Sequence, residues 1–366
     1  EGTFTGTRTT LVGMATPETR SLGRPLGIAV AAGLVAAALA AALTGAVAAL
    51  ALADPGPLVR WGLPLVSTVS TLAASATVGL LGLAAFLVPE RVRTNRRVTA
   101  TRYAARAASL WAVAALLEVV LTFASLAGTS LLTPDLLPQL VSFAWTLETT
   151  RVLLISALVA VIVALSATVA TRRAPMAWLA VLTLVGVVIL ALTGHAAGSA
   201  SHEDAVNALG LHLIGVVVWV GGLIALVAMR PTLGDDLCVT VSRYSTVAVW
   251  CFALVTVTGA QQAWIRLGSL GALFTAYGAL VLLKTLAIVA LGVLGWLHRR
   301  SIATRLTADP GDGSAFARLA VVELAVMGGA TGLAAVLARS APPVDDAPPV
   351  PSRILELTGY PDPGPM

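Results

Sequence analysis

The chain has 366 residues, 57% of them hydrophobic and only 11% charged, with a mean hydropathy of +0.90. A soluble domain carries about a quarter charged residues, so this composition excludes a water-soluble globule and points to a polytopic membrane protein. The net charge of +5 and the pI near 9.9 do not indicate a nucleic-acid binder, because the basic residues are spread over many short loops instead of lying on one stripe.

The apolar runs are continuous, not alternating, which excludes a transmembrane barrel. With no water in the hydrocarbon core the backbone must satisfy itself, so the expected fold class is all-α, a helical bundle. Residues 1–26 read as a cytoplasmic N-terminal segment. Its first part, up to Gly13, is unlike the start of a membrane protein, and Met14 is a candidate initiator. Five runs follow in an N-terminal membrane unit (27–192), at 27–52, 62–88, 103–127, 149–170 and 176–193, each near the ~20 residues that cross a bilayer. The first is alanine-rich, and it is too long and lacks the cleavage flank for a signal peptide. Its Gly33 and Gly45 offer a small-residue surface for close helix packing.

Between the third and fourth runs, 135–145 mixes Leu136, Leu137, Leu140, Phe143 and Trp145 with proline. It fits either a segment lying on the membrane surface with Trp145 at headgroup level or a plain loop. Four further runs, at 206–229, 244–265, 272–297 and 316–338, belong to a second unit, 193–338. The remainder, 339–366, is rich in proline and acidic residues and reads as an extended extracytoplasmic linker. Cys238 falls in a loop and Cys251 in an apolar run. They form no CxxC motif and read as thiols, not as a disulfide.

Arginine sets the expected orientation. Arg91, Arg93, Arg96, Arg97 and Arg102 share one loop. Arg172 and Arg173, then Arg230 and Arg243, then Arg299, Arg300 and Arg305 fall in later loops of the same side. The N-terminal segment adds Arg8, Arg20 and Arg24. The opposite loops hold mainly Arg60, Arg151 and Arg266. The positive-inside rule then puts the N-terminus in the cytoplasm and, with nine spans, the C-terminus outside.

Three of the four histidines, His195, His202 and His212, lie within one short window that joins two apolar runs. By the charge rule this window faces outward, with His212 about 9 Å down the following helix. Imidazole suits copper, zinc, iron and nickel, and Glu203 and Asp204 add oxygen donors, although Asp204 also suits a helix N-terminus. The five methionines are scattered, so a copper site here would be largely imidazole. The same histidines also suit axial ligation of haem, or simply mark a solvated loop. His298 stands beside Arg299 and Arg300 and reads as part of a basic anchor.

Glu118, Lys284 and Glu323 sit inside apolar runs, where ionisable residues are costly and usually paired. Counting along the helices brings Glu323 within about 5 Å of the depth of Lys284, so a Lys284–Glu323 or Lys284–Glu118 pair is open. Such a network would serve either as a register-fixing ion pair or as an ion or proton relay. Trp219 shares a face with His212 and reads as core packing. Gly221 and Gly222 would admit a second helix at close range.

The stretch from His212 through Trp219 to Gly221 and Gly222 resembles the helix of the copper resistance protein D (CopD) family in which a histidine precedes a tryptophan and a glycine pair. The resemblance continues through Ser242-Arg243-Tyr244-Ser245-Thr246, Val257-Thr258-Gly259-Ala260-Gln261 and Thr275-Ala276-Tyr277-Gly278 to Lys284, and covers about 193–338. It carries over Tyr244, Gly259, Tyr277, Gly278 and Lys284 as family positions.

The tail Arg353–Pro361 resembles the junction in actinobacterial proteins that join a CopD-like half to a CtaG-type cytochrome c oxidase assembly half, which would make this chain a first half. The resemblance implies a non-enzymatic, multi-pass protein of the bacterial inner membrane that imports or delivers copper. Its implied partners are lipid, copper ion, and a CtaG-like domain, a periplasmic copper chaperone or cytochrome oxidase. A more distant likeness to haem-binding protoporphyrinogen oxidase membrane proteins keeps a haem redox role open beside a structural role in oxidase assembly.

Overall fold

A computed structural model of the protein describes residues 17–50, 53–88, 94–192, 202–305, 314–341 and 343. Among them the chain is helical: α1 (Pro17–Thr44), α2 (Pro57–Gly82, continued by a π turn over Leu83–Leu87), α3 (Thr94–Ala127), α4 (Leu136–Phe143), α5 (Glu148–Ala167), α6 (Arg173–Val188), α7 (His202–Leu233), α8 (Leu237–Leu267), α9 (Ala276–Arg305) and α10 (Ser314–Leu337). All but α4 contain a stretch long and apolar enough to cross a membrane, nine among the described residues, which agrees with the expected all-α bundle.

Boundaries differ in instructive ways. α1 stops at Thr44 because Gly45 takes φ +70°, a left-handed conformation that ends helices. Gly45 is therefore a stop, not a packing surface. α8 begins at Leu237, which puts Cys238 in its first turn instead of a loop; both cysteines are free thiols. The 135–145 segment forms the short helix α4. It buries Leu136 and leaves Leu137, Val141, Phe143 and Trp145 exposed, as a helix lying in a membrane surface would.

α2 is the central span. It packs against α1, α3, α6, α7 and α10. Three of its buried hydroxyls bond within the helix: Thr68 donates to Pro64 O, Ser75 to Thr71 O and Thr77 to Ala73 O. A helix so satisfied can be buried on all sides without stranding polar groups. Small residues let its neighbours come close. A Cβ added to Gly221 of α7 would strike the Ser75 carbonyl, and one on Gly79 would strike the Gly221 carbonyl. Gly33, Gly328 and Gly332 do the same for α1 against α10. With lipid as apolar as the side chains, backbone approach of this kind is what holds membrane helices together.

One apolar core, with Leu72, Leu80, Ala157, Leu223, Leu291 and Leu324 among its members, draws on both the first and the second half of the chain. α8 packs mainly on α7, and α9 on α10, while α8 and α9 touch each other little.

Candidate functional site

The upper end of the bundle, as the term is used below, is where α7 starts, α8 finishes and α9 starts. His195 lies outside the described residues, as do the N-terminal segment up to residue 16 and the tail from residue 344. His202 is the first residue of α7. His212, half-buried, turns toward α8. Its Nδ1 is 3.1 Å from Thr258 Oγ1, and a Cβ added to Gly259 would meet the imidazole Cε1 at 3.4 Å. Gly259 thus lies in ordinary packing range of the ring.

The hydroxyl of Thr258 donates to Leu254 O at 2.6 Å. With that proton directed at Leu254 O, Thr258 accepts from His212 in the tautomer that carries its hydrogen on Nδ1, which leaves Nε2 its lone pair; the ring also hydrogen-bonds with the Val255 backbone. A metal-binding histidine is usually held this way, by a bond from its other nitrogen.

Lys284 of α9 interacts electrostatically with His212 and with Arg266 near the end of α8, and the Tyr277 side chain hydrogen-bonds with Arg266. Gln262 links this end together: its Nε2 donates to Ala205 O at 2.6 Å, and Arg266 Nε donates to its Oε1 at 3.4 Å. Tyr277 is buried, and Gly278 beside it packs on the backbone of Ala272 and Leu273, where a Cβ would clash. No group of three or more His, Cys, Asp or Glu side chains that could hold a metal ion occurs among the described residues.

The intramembrane charges do not join as the depth count suggested. Glu323 pairs with His298, Oε1 to Nδ1 at 2.9 Å, and both are buried. Glu118 is met by the hydroxyls of Ser67 and Ser70 on α2 and by the charge of Arg339. The count weighed Lys284 alone as a partner on α9, whereas His298 lies about 21 Å further along the same helix and is the residue that faces Glu323. α9 begins at Ala276, so Lys284 is about 12 Å from its upper end. α10 begins at Ser314, so Glu323 lies about 13 Å from the lower end of its helix. His298 is therefore no mere anchor; in sequence it offered no signal of a partner 25 residues away. Ser67, Ser70 and Arg339 likewise escaped notice, and Thr258 entered only within a motif; all are ordinary residues whose roles come from a facing helix.

Trp219 is buried, and its carbonyl accepts a 2.8 Å bond from the Tyr244 hydroxyl. A Cβ added to Gly222 would strike the Tyr244 ring, so the second glycine makes room for the tyrosine. At the lower end arginines gather on the exposed end of α2. Arg173 donates to Val88 O at 3.2 Å, Arg243 to Leu87 O at 3.1 Å, and Arg96 pairs with Asp236 at 2.6 Å. Cations suit the unpaired carbonyls of a helix C-terminus. These arginines, from α3, α6 and α8, do share one end of the bundle.

Among the described residues, nine helices long and apolar enough to cross a membrane, with ionisable side chains held between them, define a polytopic membrane protein. Residues 53–203 match the family model described as copper resistance protein D-like, N-terminal domain, and residues 239–337 match copper resistance protein D. The two matches together span most of the chain, which belongs to the copper resistance protein D family. No curated protein and no solved structure matches it. Tyr244, Gly259, Tyr277, Gly278, Lys284, His298 and Glu323 fall in the second match, and Glu118, His195 and His202 in the first. The helix segment with His212, Trp219, Gly221 and Gly222 falls between them.

Proposed function

We propose that this protein takes up or delivers copper at the bacterial inner membrane, meeting the ion at the upper end of the bundle, which faces outward. The observation that carries the reading is His212. In a chain of the copper resistance protein D family, Thr258 orients its ring and leaves Nε2 able to ligate. His195, ahead of α7, and His202, its first residue, complete an imidazole-rich set suited to copper. The arginine-rich lower end supports a cytoplasmic placement of that side. The protein binds and passes copper without catalysing a reaction. Cytochrome oxidase assembly, through a CtaG-like domain or a periplasmic chaperone, is the destination the tail suggests.

Metal analysis of purified wild type beside His195→Ala, His202→Ala and His212→Ala tests the site. The expected result is one bound copper in wild type, lost or sharply reduced in each variant; unchanged copper in all three sinks the assignment. An absorption spectrum of the same preparation decides against haem as the native group by the absence of a Soret band.

A further inference from the structure

α1 and α3 rise side by side from the lower end. Both pack on α2, but they scarcely meet each other. The gap between them opens into a hollow of about 240 Å³, lined by Leu22, Gly23 and Leu26 of α1 and by Arg106 and Ala107 of α3. Its walls are mainly apolar, with one guanidinium at the rim.

The hollow sits at a defined depth. Arg106 is 21 residues before Ala127, where α3 ends, and Gly23 is 21 residues before Thr44, where α1 ends. Either count puts the hollow about 32 Å from the upper end, against a hydrocarbon core of ~30 Å. Arg106 therefore stands where lipid headgroups meet hydrocarbon, and α3 continues below it, out of the membrane.

The rim is basic. Arg102 is one turn below Arg106 on the same face of α3, and Arg24 follows Gly23 on α1; all three arginines are exposed. Arg96, Arg173 and Arg243 at the same end have protein partners, Asp236 and the α2 carbonyls. Among the described residues, none of Arg24, Arg102 and Arg106 pairs with a carboxylate. Arg106 is held against the Tyr103 ring, 5.9 Å from its centroid, which steadies the guanidinium beside the hollow.

Above the rim the surface turns apolar. Leu110, Val113 and Leu117 continue the Arg102–Arg106 face of α3, and all three are exposed. The matching face of α1 carries Gly23, Gly27 and Ala31, and a Cβ added to either glycine would meet nothing within 4 Å. Cations at headgroup depth, then open space along an apolar strip, reproduce the polarity of one phospholipid from headgroup to chain.

We infer that this hollow binds one anionic phospholipid of the leaflet at the lower end. The headgroup phosphate accepts from Arg106, whose planar fork suits two phosphate oxygens. Arg24 and Arg102 attract the net charge of the headgroup, and an acyl chain runs upward between Gly27 and Leu110. A zwitterionic headgroup offers the same phosphate but brings its own cation toward three others. The site holds whichever way the bundle is inserted, and with or without copper, so it stands apart from the copper reading.

Native mass spectrometry of the purified chain released from detergent tests the site, with titration by a phosphatidylglycerol and, separately, by a phosphatidylcholine of the same acyl chains. The expected result is a one-to-one phosphatidylglycerol adduct, at least about fivefold tighter than the phosphatidylcholine adduct. Arg106→Gln removes the phosphate donor, and Gly23→Leu fills the hollow while leaving the charge. Each is expected to weaken the phosphatidylglycerol adduct at least about fivefold. Arg299→Gln, which removes one exposed charge from the same end, is expected to leave it unchanged. Equal binding of the two lipids by wild type, wild-type binding by either Arg106→Gln or Gly23→Leu, or an equal loss in Arg299→Gln overturns the proposal. Displacement of the lipid by a large excess of inorganic phosphate also overturns it, since the acyl chain would then contribute nothing. Should Gly23→Leu not elute as monodisperse protein, Gly27→Leu, one turn along the same open face, is measured in its place and judged by the same outcomes.

Discussion

His212 and His298 have the same side chain, yet the structure uses them differently. Each has a polar partner on a facing helix, but Thr258 leaves a ligating nitrogen on His212, whereas Glu323 engages His298 as part of a buried pair. Two expectations follow at this scale. Thr258→Val keeps the shape but removes the acceptor for Nδ1–H, so copper affinity is expected to fall about tenfold or more in a titration of the purified protein; an unchanged affinity would mean the threonine does not orient the ligand. His298→Ala leaves the Glu323 carboxylate buried without its imidazole, at a cost of about 1–3 kcal/mol. Thermal unfolding in detergent should show a clear drop, while Lys284→Met, which cuts no such pair, should leave the midpoint close to wild type.

Among helices the decisive feature is how near two backbones come. Gly221 faces Ser75 and Gly79 on α2, and Gly328 faces Ala29 on α1, with carbonyls in the space a side chain would need. Overpacking a core costs about 1–3 kcal/mol even when side chains can adjust, and backbone atoms cannot. Gly221→Val and Gly328→Val are therefore expected to abolish recovery of monodisperse protein. Gly295→Val, with nothing within 4 Å of its added Cβ, serves as the tolerated control. Equal recovery of all three on size exclusion would contradict this account of the crossings. Alanine and glycine richness flagged α1 as a close-packing helix, and Gly33 answers to that. Gly45 does not, because a φ of +70° is a property of where the chain turns, which composition does not encode.

For the molecule as a whole, sidedness is the property that links fold to role. Arg96 of α3, Arg173 of α6 and Arg243 of α8 close on the same end of the bundle, in keeping with a positive-inside arrangement. A single cysteine at Ser199, in a background lacking Cys238 and Cys251, is expected to be labelled by a membrane-impermeant reagent added outside intact cells. Labelling only after the cytoplasmic face is opened would invert the topology and with it the copper entrance. The shared core, in which α2 packs on α7 and α1 on α10, makes the bundle one body, so a half-chain expressed alone would expose the small-residue crossings that hold it together.

Sequence alone determined that this is an all-α, nine-span membrane protein with one basic side, because length, hydropathy and arginine placement act locally and leave no other way to satisfy a backbone in lipid. It also singled out Lys284, Glu118 and Glu323 as exceptional and Gly221 as a point of close approach. Only the tertiary structure decided their partners. Which face of a helix a residue occupies follows from spacing, but which helix it meets, and at what depth, depends on true helix starts and on crossings set by glycines far apart in the chain. On α9 it is His298, about 21 Å beyond Lys284, that meets Glu323, because the packing of α10 on α9 sets which of the two lies at its depth.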